Sequence, residues 1–234
     1  MDLVLLSLGA AAEEATAGPA EAALAGAGAR VEAVGWPRGL GRPGLDAVLD
    51  RLGGRRLVIA ADVSPLAAVL RRLMRRGELA RVETAVLPIR PVPFLARHGI
   101  RPDLAAAARV AVEAACRTVG VLKDDSGDVV VDRAELRPWA GRGVWVRAYV
   151  DDERLCDGEI AGLRVERGGD GGLRATVTSR GLGRKRTAQG RALQLACDPA
   201  ALSSDGAPRE QPRRRRTWWD EPGQWRLAVG APLG

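Results

Sequence analysis

Up to about Val119, short runs of aliphatic residues alternate with longer segments whose apolar positions recur at helical spacing. Leu3 to Leu8 reads as a buried strand, Ala20 to Ala29 as a helix closed by glycine, and Val31 to Val34 as a second strand. Leu45 to Leu52 reads as a helix stopped by Gly53 and Gly54, and Leu57 to Ala60 as a third strand. Pro65 opens a helix through Leu66, Val69, Leu70 and Leu73 with arginines on its other face, halted at Gly77. Thr84 to Leu87 makes the next strand, and Pro102 and Asp103 start a helix from Leu104 to Ala115. Strands alternating with helices in this way predict a layered α/β domain with a mainly parallel sheet.

Past Val119 the period changes from helical to two. Val129 to Val131, Val144 to Val150, Ile160 to Val165, Leu173 to Thr178, Ala192 to Ala196 and Trp225 to Val229 are short β-type runs between glycine-rich and acidic turns. That pattern predicts an antiparallel, sandwich-like β domain. The reading is therefore an α/β domain over 1–119 and a mainly β domain over 120–234, with the boundary near Val119 to Val121.

Composition narrows the picture modestly. With 234 residues, 46% of them hydrophobic, the chain can bury a sizeable core, and that core is aliphatic because Phe94 and Tyr149 are the only residues of their kinds. No uninterrupted apolar stretch is long enough to span a bilayer, and the apolar start runs into Glu13 and Glu14 without a basic leader, so neither a membrane span nor a secretory signal is expected. Cys116, Cys156 and Cys197 are far apart and odd in number, which fits reduced thiols in a cytoplasmic protein, and His98 is the only histidine, which leaves little for a metal site. The net charge of +7 is almost wholly arginine, since Lys123 and Lys185 are the only lysines; it fits a soluble basic protein better than a dedicated polyanion surface.

Particular residues go further. Arg55-Arg56-Leu57-Val58-Ile59-Ala60-Ala61-Asp62-Val63-Ser64 resembles the strand and turn that carry Gly-Gly-Asp-Gly-Thr in diacylglycerol kinases, sphingosine-type kinases and, more distantly, NAD kinases. Arg75 to Ala80 and Ala85 to Ile89 are similar to the helix end and strand that follow. Pro88 to Arg97 equals in length the family segment Pro-x-Gly-Thr-x-Asn-Asp-Phe-Ala-Arg and keeps its first residue and its final Ala-Arg. Ser204-Asp205-Gly206 resembles the late Asp-Gly-Glu turn, and Pro222-Gly223 with the apolar run after it resembles the closing segment. On these residues the chain is similar to a bacterial lipid kinase of the diacylglycerol-kinase type, closely over residues 1–118 and loosely beyond.

The resemblance implies ATP and magnesium as cofactors if the protein is active, with Ala60, Ala61, Asp62, Ser64 and Arg90 at the nucleotide positions and Asp170 as the metal-binding survivor of an acidic pair. Asp205 would be catalytic, with Glu210 near the place of the general base, because Ala207 occupies the glutamate position. Ala60, Ala61 and Val63 stand where the family has three glycines that let backbone amides approach phosphate. Arg90, Pro91, Pro93 and Phe94 replace the hydroxyl, amide and carboxylate of the second motif, and two prolines remove two backbone donors. The favoured expectation is a degenerate, pseudokinase-like member with a binding or regulatory role. Two alternatives stay open: an active ATP- and magnesium-dependent lipid kinase using a rearranged site, and a basic protein that binds anionic membranes or nucleic acid.

Arg213 to Arg216 followed by Thr217, Trp218 and Trp219 is the densest basic and aromatic cluster. It reads as an exposed loop with a tryptophan packed on the β domain, ahead of a contact with anionic lipid; a protein partner is also open, and nucleic acid is disfavoured. Localisation is expected to be cytoplasmic, with a peripheral membrane contact in the lipid-binding case. Gly168-Gly169-Asp170-Gly171-Gly172 reads as a hairpin turn rather than a phosphate loop, since no helix follows it. His98 lacks a recognisable catalytic partner.

Overall fold

Residues 1–36, 42–169, 171–181 and 183–231 are described by the computed structural model, with the side chains of 10–17, 36 and 42 left aside. The chain is α/β and divides into two compact units, Met1–Val119 with Gly223–Gly234, and Gly120–Pro222.

In the first unit the chain runs β1 (Asp2–Leu8), α1 (Ala10–Gly26), β2 (Arg30–Trp36), α2 (Arg42–Asp50), β3 (Arg56–Ala61), α3 (Val63–Arg75), β4 (Thr84–Pro88), α4 (Pro93–Arg97) and α5 (Leu104–Glu113). β1 pairs in parallel with β2 and β3, and β3 in parallel with β4, with Leu5 beside Val58 and Ile59 beside Val86. All six residues of β3 are buried, Arg56 by pairing with Glu83, and Leu57 to Ala61 read as an unbroken apolar run rather than an alternation. α3 buries Leu66, Ala67, Val69, Leu70 and Leu73 along one stripe and turns Arg72 and Arg76 toward Asp46. Small side chains let α1 and α5 sit close on the sheet: Ala20, Ala107, Ala108 and Ala111 share a cluster with Leu3, Val58 and Leu87. Asp103 caps α5 by accepting from the Ala106 amide at 2.9 Å.

The second unit holds the rest of β5 (Cys116–Asp124), then β6 (Val129–Val130), β7 (Arg133–Pro138), β8 (Val144–Val150), β9 (Glu153–Arg167), β10 (Leu173–Ser179), β11 (Lys185–Gly190), β12 (Ala192–Ser204), β13 (Ala207–Pro208) and most of β14 (Arg213–Ala228). Its pairings are antiparallel, and the two long strands change partner midway. β9 pairs with β8 over Glu153 to Ile160 and with β7 over Leu163 to Glu166; β12 pairs with β8 over Leu193 to Cys197 and with β7 over Ala200 to Ser204. Strict alternation, seen most cleanly in β8, sends Val144, Val146, Ala148 and Val150 into one core with Leu136, Val165, Leu193 and Trp218.

Several element expectations need correcting. The helix read as Ala20 to Ala29 spans Ala10–Gly26, since alanine's helix propensity carries it through Gly18 and Pro19. Gly223–Gly234 groups with the first unit, because Leu227 pairs with Thr84, so the second unit does not run to the end of the chain. Arg213 to Arg216, read as a loop, begins β14; strand alternation turns Arg216 inward, 4% exposed, where Asp124 and Asp125 hold its guanidinium. No described helix is long and apolar enough to cross a membrane.

Candidate functional site

The candidate site of the first unit lies where β3 passes into α3 and where β4 passes into α4. Ala60 and Ala61 end β3 with 1% and 3% exposure, and Asp62 is the N-cap residue of α3 in an extended conformation (φ −69°, ψ 167°). None of Ala60, Ala61 or Val63 has a positive φ, so strand passes to helix without the left-handed step that glycines would allow. Pro65 sits in the first helical turn, where it supplies no amide hydrogen. The Asp62 carbonyl accepts the Leu66 amide at 3.1 Å, while its carboxylate makes no capping bond.

That carboxylate faces Arg90 instead, with Nε 3.5 Å from Oδ1. Asp62 and Arg90, both singled out from the sequence, are thus brought together; Ser64 lies one turn position into α3, and Ala61 stands beside Pro88 across the β3–β4 ladder. The ion pair is solvent-facing, the Arg90 side chain being 76% exposed, so it contributes roughly 0–1 kcal/mol.

After Arg90 the chain turns its apolar residues inward. Val92 leads into α4, Phe94 and Leu95 are buried, and the Phe94 ring lies edge-on to His98 (centroids 4.7 Å apart) and parallel to Trp225 (5.8 Å). Trp225 is fixed in turn: its Nε1 donates to Thr84 Oγ1 at 2.6 Å, and that hydroxyl donates to the Arg226 carbonyl at 2.8 Å. Gly99, at φ +70°, closes the α4 turn against the C-terminal segment, where an added Cβ would stand 2.4 Å from the Ala231 carbonyl oxygen. His98 is part of this packing, with its carbonyl accepting the Gly230 amide.

In the second unit Asp205 occupies the β12–β13 turn with φ 52° and 4% exposure. Its carboxylate accepts three backbone amides, from Val131 at 2.9 Å, Asp132 at 2.7 Å and Arg133 at 3.1 Å, and so pins the start of β7. Burial pushes its carboxyl up to about 6, against the downward pull of those three amides. Glu210 is exposed in the connection before β14. Asp170, the expected metal ligand, lies outside the described residues; Gly168 and Gly172 on either side are joined by a backbone bond within the β9–β10 hairpin. Among the described residues, no three His, Cys, Asp or Glu side chains converge as a metal site.

No protein-family model matches the chain, and no curated protein matches it by sequence. Solved structures do. A diacylglycerol kinase from Bacillus anthracis str. Sterne superposes with a TM-score of 0.68 at 11% identity, covering 98% of this chain and 96% of that one. An NAD kinase from Archaeoglobus fulgidus, solved in complex with ATP, gives 0.60 at 11% identity over 97% and 92%, and yeast NADH kinase complexed with NADH gives 0.60 at 11% over 97% and 82%. The chain therefore shares its fold with these diacylglycerol, NAD and NADH kinases.

Proposed function

We propose that the protein is a non-catalytic member of the diacylglycerol-kinase-like fold, acting by binding rather than by phosphoryl transfer. The observation that carries this reading is the fate of the Pro88 to Arg97 segment. Where the resembled family motif carries hydroxyl, amide and carboxylate groups, this chain has Pro91 and Pro93, and its one aromatic side chain, Phe94, packs in the hydrophobic core against Trp225. The β3–α3 turn points the same way, because a triphosphate needs backbone amides it can approach closely, and buried Ala60 and Ala61 with Pro65 beyond them do not fit that need. Phosphoryl transfer rests on positioning and charge neutralisation by such groups, so their joint replacement removes the basis of catalysis.

The reading is tested by incubating the protein with ATP, magnesium and diacylglycerol and following phosphate transfer to lipid. The expected result is none above a protein-free control. Transfer that depends on magnesium and is abolished by Asp62→Ala would overturn the proposal.

A further inference from the structure

The outer face of β7, β9, β10 and β11, opposite the core of the second unit, forms a groove of about 610 Å³. The ladders arrange its side chains in rows. Glu135, Arg164, Thr176 and Thr187 stand side by side, the two threonine hydroxyls 3.1 Å apart. The next row has Thr178 between Gly162 and Lys185, with Arg137 following the Leu136–Leu163 pair on the far side of Gly162. Gly162 leaves bare backbone at the floor; a Cβ there would come within 3.2 Å of the Leu136 carbonyl oxygen. A register shift at Thr178 and Ser179 bends β10 against β9 at this place, as an irregularity of this kind does.

Charge on this face is unbalanced. Arg137, Arg164, Arg174 and Lys185 line the groove against Glu135 and Glu166. The single Glu135 carboxylate serves Arg133, Arg137 and Arg164, at 3.2, 2.9 and 3.3 Å, so it orients three guanidinium groups while neutralising one charge. Burial raises the Glu135 carboxyl, but the Arg137 hydrogen bond and the charges of Arg137, Arg133 and Arg164 outweigh it and leave it below its ordinary value. Arg174 reaches Glu166 only at 3.8 Å, and its Nε is buried without an acceptor. Among the described residues Lys185 has no acidic partner.

We propose that this groove binds a phosphorylated polyol, its phosphate seated over Gly162 between Arg137, Thr178 and Lys185 and its hydroxyls along Thr176, Thr187 and Gln189. The Arg137 guanidinium held in place by Glu135, the Lys185 ammonium and the Thr178 hydroxyl are the donors a phosphate monoester takes up, and the fixed position of Arg137 lowers the cost of ordering it. No aromatic side chain lines the groove, so there is no platform for a stacked base, which selects an aliphatic carrier over a nucleotide. The site lies wholly within the second unit and does not depend on the fate of the nucleotide motifs.

The test is calorimetric titration of the full chain with sorbitol 6-phosphate, with unphosphorylated sorbitol and with phosphatidylglycerol–phosphatidylcholine vesicles. Binding of sorbitol 6-phosphate and not sorbitol is expected. Arg137→Gln and Lys185→Gln should each weaken it about tenfold, as loss of one hydrogen bond to a charged group does. Thr178→Val should weaken it less, and Arg30→Gln, an exposed arginine on β2, should leave it unchanged. The variants replace exposed or half-exposed side chains, and an unchanged Tm confirms that each is folded. Binding that survives the double variant Arg137→Gln with Lys185→Gln, equal weakening by Arg30→Gln, vesicle binding without sorbitol 6-phosphate binding, or no binding at millimolar ligand would each overturn the proposal.

Discussion

At the residue scale, Asp62 and Phe94 occupy neighbouring parts of the first unit and carry very different weight. The Asp62–Arg90 pair faces solvent, where the long Arg90 side chain loses entropy to gain a screened attraction. Asp62→Ala is therefore expected to move the urea midpoint by no more than the equivalent of about 1 kcal/mol. Phe94 is 3% exposed and stacked on a tryptophan that is itself hydrogen-bonded. Phe94→Ala should cost about 3–5 kcal/mol in the same measurement, the lost transfer energy plus the cavity left beside Trp225.

Asp205 adds a pH dependence whose sign can be worked out. Its carboxyl sits at about 6 in the folded chain and near the ordinary ~3.9 when unfolded, so between those values the folded state binds the extra proton. Stability from this group is fully present below pH ~4 and is lost as pH rises through about 6. Urea titrations of the wild type and Asp205→Asn from pH 4 to 7 check this, because the difference isolates the one carboxyl. The wild type's advantage should shrink as pH rises; an advantage that grows would contradict the assignment.

At the element scale, legibility followed the strength of the periodic signal. β3, α3, β4 and α5 were readable because a fully apolar run, a one-sided stripe or an Asp103 cap marked each. α4 was not, because Pro91 and Pro93 suggest a loop, and only the tertiary packing of Phe94 and Leu95 shows why five residues hold a helical turn. β14 was hidden by four consecutive arginines, which mask alternation: Arg216 reads like its neighbours, yet it alone points inward to Asp124 and Asp125. The groove side chains were invisible for the opposite reason. Thr, Arg and Glu alternating with core residues look like any solvated strand face, and the rows they form exist only through the β7–β9–β10–β11 register. Gly99 belongs at this scale as well. Its positive φ and the close Ala231 carbonyl mean that Gly99→Ala must displace the C-terminal segment, and a thermal melt should show a Tm lowered by several degrees, about 1–3 kcal/mol in free energy.

At the scale of the whole molecule, the chain shares its fold over nearly its full length with kinases of 11% identity, and a shared fold does not by itself carry a shared chemistry. At the β3–α3 and β4–α4 turns this chain carries Ala60, Ala61, Pro91, Pro93 and Phe94, residues that offer a phosphate few donors. The central claim is that these turns do not hold a magnesium nucleotide. Calorimetric titration of the protein with ATP in the presence of magnesium tests it most directly: the account predicts no binding heat and no rise in Tm up to millimolar nucleotide. Saturable binding that is lost in Asp62→Ala would contradict it.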